Sequence, residues 1–209
     1  MRRTATATAF LLSFLVSVDV AVAQSSVSAP PADRRATDSA YRKGAIDWRV
    51  IAGGALPVNW TDARADRRLW LVATEIGWTV TKPHGPGGLA GQLEILMQAM
   101  PIVVRGPQDF WGVGLSPLFL RWNFSAAKQV RPFAEASAGV MLIDWETPGP
   151  GRVVGNFNEQ IGFGLRVGRP SGTGLVGGFR YQHISNGGRA HPSSGVDTYL
   201  VYAGVSFVR

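Results

Sequence analysis

The run Phe179-Arg180-Tyr181-Gln182-His183-Ile184-Ser185-Asn186-Gly187-Gly188 places an imidazole two residues before a hydroxyl. Side chains at i and i+2 of a strand point to one face, so His183 can serve as general base to Ser185 as nucleophile. That is the chemistry of acyl-ester hydrolysis. Phe179 and Tyr181 share the parity, so the pair stands on an apolar face. Asn186, Gly187 and Gly188 follow directly. An asparagine amide and backbone N–H groups freed by glycine are the donors that a forming oxyanion needs, although Asn-Gly-Gly is also a common turn starter.

A base–nucleophile pair needs an acid to orient the imidazole. Folding about a turn near Ser171 brings Glu159 opposite His183, and folding about a loop near His191 brings Asp197 opposite Ser185. Both carboxylates have the parity of the His183 face, so either qualifies, and a register slip of one or two residues changes the pairing. The plain alternative for His183 and Ser185 is that of inert polar groups at a strand end.

The elements that must position these residues are strands. Eight segments rich in Val, Leu, Trp, Phe and Gly recur at 45–57, 69–81, 89–104, 111–124, 132–144, 157–168, 174–185 and 197–208, with polar or Gly/Pro breaks between them. Each suffices for the roughly 9 to 11 residues with which a tilted strand crosses a bilayer. In the sixth, Phe157, Ile161, Phe163, Leu165 and Val167 lie on one face and Asn158, Gln160, Gly162, Gly164 and Arg166 on the other. In the third, Leu93, Ile95 and Met97 oppose Gln92, Glu94 and Gln98, and in the second Trp70, Val72, Ile76 and Trp78 form an apolar stripe. A soluble sandwich or lipocalin-like barrel also alternates but would turn the apolar set inward. The Gly-, Gln-, Asn- and Arg-rich polar set suits the narrow interior of a small membrane barrel better. The expected fold is therefore all-β, an eight-stranded antiparallel transmembrane β-barrel spanning residues 44–209. With both termini on the periplasmic side, 169–173 is a periplasmic turn and 193–195 belongs to the last external loop, which puts the His183 face at the level of the outer leaflet.

Residues 1–23 start with Arg2 and Arg3, run through an apolar stretch and end in Ala21-Val22-Ala23, as a cleavable signal peptide does. Residues 24–43, rich in Ser, Ala, Pro and charge, read as a flexible periplasmic leader. The chain has no cysteine, which excludes disulfides, thiolate nucleophiles and cysteine metal sites. Its formal charge is +7. For an exported chain the matching anion is a lipopolysaccharide phosphate rather than nucleic acid, with Arg189 a candidate contact in the external loop. His84 sits in a Lys-Pro-His-Gly turn and His191 in an external loop, so the three histidines make no metal cluster and no metal is expected. Glu75, Glu94 and Arg166 have inward parity and are expected to make polar contacts in the lumen, and Gly112-Val113-Gly114 is strand alternation rather than a phosphate loop.

The His-x-Ser-Asn-small-Gly pattern after Arg180-Tyr181, at the end of a seventh strand, resembles the lipid A 3-O-deacylases of the PagL type. The resemblance implies an outer-membrane acyl-ester hydrolase with a Ser-His-acid triad on the outer barrel surface and no cofactor. By it His183 is the general base, Ser185 the nucleophile, Asn186 an oxyanion or positioning residue and Gly188 a contributor of backbone geometry. The family has a glutamate where this chain has Asp197, so Asp197 takes the acid's place with a shorter arm, and Glu159 is the reserve. The implied partners are lipid A or lipopolysaccharide as substrate and the outer-membrane lipids, with pairing into a homodimer left open. A non-catalytic barrel, structural or adhesin-like, or an inactive relative is the alternative from another class.

Overall fold

The computed structural model describes residues 42–58, 69–104, 110–125, 129–145, 152–169, 172–187 and 196–209. The expected signal and all but the last two residues of the leader lie outside them, as do Gly188, Arg189, His191 and 193–195.

Eight strands form a closed barrel in which each pairs antiparallel with its neighbour in sequence and β8 closes on β1. They are β1 (Ile46–Pro57), β2 (Leu69–Thr79), β3 (Gly91–Val104), β4 (Phe110–Phe124), β5 (Val130–Trp145), β6 (Arg152–Gly168), β7 (Gly172–Ser185) and β8 (Val196–Val208). Closure leaves no strand edge with unpaired backbone groups, the condition for a sheet to lie in hydrocarbon. The two ends of the barrel strands meet: Ile46 N–H donates to Arg209 O and Arg209 N–H to Ile46 O. Ser185 and Asp197 lie at the opposite end of the barrel from that junction.

Most strand bounds follow the hydrophobic alternation, with two corrections. Strand β3 starts at Gly91 rather than at the expected Leu89, because Leu89 closes the 3₁₀ turn Gly87–Leu89. Strand β6 starts at Arg152, five residues before the expected 157, because residues 152–156 extend the ladder against 141–145 of β5.

The expected faces hold throughout. Ile161, Phe163, Leu165, Val201, Trp70 and Trp78 are exposed on the outside. Gln92, Glu94, Gln98, Asn158, Gln160, Arg166 and Arg180 are buried in the interior. One irregularity changes a parity. The β3–β4 and β4–β5 registers shift around Ser116 and Pro117, and inward residues are even-numbered before that point (Gly112, Gly114, Ser116) and odd-numbered after it (Phe119, Arg121, Asn123). Proline has no N–H to give the ladder, so it sits at the bulge.

The interior is filled by an ion-pair network together with an apolar cluster that includes Ile51, Leu71, Met100, Met141, Ile143 and Leu200, where the alternation predicts a polar lumen. Glu75 accepts from Gln98 at 2.7 Å, Arg180 at 2.7 Å and Arg121 at 3.0 Å. Glu135 accepts from Arg180 at 2.6 Å, Arg121 at 2.8 Å and the Tyr202 hydroxyl at 2.7 Å. Arg49 and Asn123 meet Glu94 at 2.8 Å and 2.9 Å. Glycine makes the room for these long side chains: a Cβ at Gly162 would stand 2.8 Å from Arg180 Cγ and 2.2 Å from the Phe179 carbonyl oxygen.

Candidate active site

Three neighbouring strands present the chemically capable residues on the outer face. Glu159 of β6 is the ladder partner of His183 of β7, and His183 is the partner of Asp197 of β8. The first pairing is the one the turn near Ser171 predicts. The second corrects the expected register, in which Asp197 faced Ser185. The ladder is displaced from that register by two residues. A displacement of two conserves the face, so Asp197 still points outward.

The interior fixes this register. Gln182, between Tyr181 and His183 in sequence, points inward, donates to Asn158 of β6 at 2.8 Å and accepts from Thr198 of β8 at 3.4 Å. Arg180, one turn of the pleat further on, is locked to Glu75 and Glu135. The lumen thus ties together the same three strands whose opposite faces carry Glu159, His183 and Asp197.

On that outer face His183 Nδ1 lies 2.6 Å from Asp197 Oδ1. The Tyr181 hydroxyl donates to the same oxygen at 2.6 Å. The side chains of His183 and Asp197 are 39% and 33% exposed, open to the barrel's surroundings rather than sealed in the lumen. Glu159 is exposed and makes no hydrogen bond to the imidazole. Of the two candidate acids, the structure brings only Asp197 into contact with His183.

Ser185 is two residues beyond His183 on the same face, half-buried, beside its ladder partner Phe157. No hydrogen bond joins its hydroxyl to the imidazole. Asn186 follows, and Gly187 takes φ +62°, with a Cβ there only 3.0 Å from the Phe157 ring. The chain therefore turns sharply just past the serine, in a conformation open chiefly to glycine. His84 lies apart from this cluster, its Nδ1 2.9 Å from Lys82 O and its ring edge-on to Trp122.

Below the cluster an apolar groove of about 570 Å³ runs over the outer face, floored by Ala134 and Ala136 and walled by Leu120, Ile161, Phe163 and Tyr181. The small side chains of β5 make the depression, and the large ones of β4, β6 and β7 its sides.

The sequence model of the family described as lipid A 3-O-deacylase (PagL) matches residues 74–206. The chain belongs to that family. The matched span starts within β2 and covers β3 to β7 and nearly all of β8, including every residue of the cluster. No curated protein matches the sequence. Among solved structures, the outer membrane enzyme PagL is 20% identical with a TM-score of 0.52, over 76% of this chain and 97% of that one. The N-terminal β-barrel domain of Pseudomonas aeruginosa OprF is 12% identical with a TM-score of 0.52, over 80% and 98%. Neisserial surface protein A is 11% identical with a TM-score of 0.54, over 78% and 95%. These likenesses establish the barrel fold, and membership of the PagL family makes the chain a bacterial outer-membrane protein. Its exposed Ile161, Phe163 and Val201 are accordingly lipid-facing.

Sequence reasoning left the Tyr181 hydroxyl without a part. Its parity was legible from the start; its contact with Asp197 depends on the corrected register.

Proposed function

We propose that this chain is itself a lipid A 3-O-deacylase, hydrolysing the ester that holds the acyl chain at the 3 position of lipid A. The observation that carries the reading is the 2.6 Å contact of His183 Nδ1 with Asp197 on the lipid-facing surface, with Ser185 two residues on along the same face. Membership of the deacylase family supports it.

In this mechanism Asp197 holds Nδ1–H, which leaves Nε2 to accept the Ser185 proton. Ser185 Oγ bonds to the ester carbonyl carbon, and the carbonyl oxygen takes the negative charge of the tetrahedral intermediate. The Asn186 amide and the Gly188 N–H are the proposed donors to that oxygen. The intermediate collapses by breaking the bond to the sugar oxygen at position 3, which takes the proton from His183 and leaves as the hydroxyl. Water, deprotonated by the same imidazole, then attacks the acyl-serine and releases the fatty acid. The chemistry requires no cofactor.

The placement suits the substrate. Lipid A lies in the outer leaflet, and a site on the outside of the barrel, at the end opposite the Ile46–Arg209 junction, meets an ester sideways at the boundary of headgroup and hydrocarbon. The apolar groove beneath Tyr181 provides a surface along which an acyl chain can lie. Residues 1–23 are proposed as the signal that exports the chain and 24–43 as its periplasmic leader.

Mass spectrometry of lipid A from cells making this chain or its Ser185→Ala variant tests the reading. The mass of one hydroxyacyl chain is lost only with the unmodified protein. Unchanged lipid A beside a folded, membrane-inserted barrel would overturn it.

A further inference from the structure

We infer that Tyr181 is a positioning residue of the deacylation site, acting through Asp197 on the tautomer and orientation of His183. The inference rests on the deacylase reading and adds to it a residue that the triad does not contain.

One carboxylate oxygen, Asp197 Oδ1, receives both the Tyr181 hydroxyl and His183 Nδ1, each at 2.6 Å. Tyr181 and His183 are two residues apart on β7, and Asp197 faces His183 from β8. The carboxylate of β8 is therefore gripped from two points of β7. An aspartate whose side chain is one-third exposed can otherwise rotate toward the headgroup region and release the imidazole. A second donor on the same oxygen selects the rotamer in which that oxygen meets Nδ1. Such bonds to an ionised acceptor are the strong ones among side-chain hydrogen bonds.

Tyr181 is itself held in place. Its ring lies 6.1 Å from that of Tyr199, whose ring is 5.3 Å from Phe179, which in turn is 5.7 Å from Phe163. These aromatic centroid distances lie within the range of mutually attractive packing. The packed run gives the tyrosine hydroxyl a fixed address on an otherwise open surface. The aspartate's short arm makes this useful: it reaches the imidazole only in a narrow range of side-chain torsions, and the tyrosine holds it there.

The test is Tyr181→Phe, which keeps the ring and its packing and removes only the hydroxyl. The purified barrel, refolded in detergent with lipid A, should show kcat lowered by about tenfold with KM unchanged, the usual weight of one hydrogen bond to a charged group. In an Asp197→Asn background the same change should have no further effect, as for residues acting through a common partner. The proton NMR signal of His183 Nδ1–H should shift and exchange faster in Tyr181→Phe. An active wild-type enzyme whose Tyr181→Phe variant keeps full kcat overturns the positioning role and leaves the deacylase reading standing. A folded wild-type barrel with no activity overturns the deacylase reading, and the role in catalysis falls with it. In that case the Nδ1 proton still decides whether the tyrosine orders the pair, and an unchanged signal overturns that as well.

Discussion

His183 of β7 and Asp197 of β8 are direct ladder partners whose side chains meet at 2.6 Å on the outer surface of the barrel. Two strands paired through the whole length of the barrel hold His183 and Asp197 together, with no loop residue taking part. Replacing Asp197 by Asn keeps the shape but lets the imidazole adopt the wrong tautomer, and kcat should fall by about a thousandfold or more. Asp197→Glu should retain more activity than Asp197→Asn, since it keeps the charge. Rates on lipid A in detergent check both.

Glu159 faces the same histidine from the other side but does not touch it. Glu159→Gln should therefore leave kcat unchanged while Asp197→Asn lowers it by about a thousandfold or more. The opposite ranking in the same assay would move the acid to β6.

The lumen determines stability, and the site depends on it indirectly. Glu75 is fully buried between Arg121 and Arg180. Glu75→Ala leaves both guanidinium groups to share Glu135, and removing one member of such a network costs about 3–5 kcal/mol. Urea unfolding followed by tryptophan fluorescence should show that loss. An unchanged midpoint would mean that the interior charges are held by water instead.

The outer face carries the opposite rule. Phe163 is 64% exposed among lipid-facing neighbours. Phe163→Arg should destabilise the inserted barrel by about 2–4 kcal/mol if the position lies near the bilayer midplane. Folding into phospholipid vesicles, read by the shift in gel mobility between folded and unfolded barrel, measures it.

Strand number, inward and outward faces and the His183–Ser185 face were legible in the sequence because a strand's period of two is imposed by its backbone. Glu75, Glu94 and Arg166 could be placed in the lumen on parity alone. Their partners could not, since they come from strands up to half the barrel away. Asp197 was found on the right face but two residues out of register, because nothing in residues 186–195 specifies where the loop turns. The Tyr181 contact needed the register first.

The most direct test of the account is hydrolysis by the purified, refolded barrel of lipid A with defined acyl chains, comparing the wild type with Ser185→Ala and identifying the product by mass spectrometry. The account predicts release of the acyl chain at position 3 by the wild type and none by a Ser185→Ala barrel that folds equally well. Equal release by both, or none by a correctly folded wild type, would contradict it.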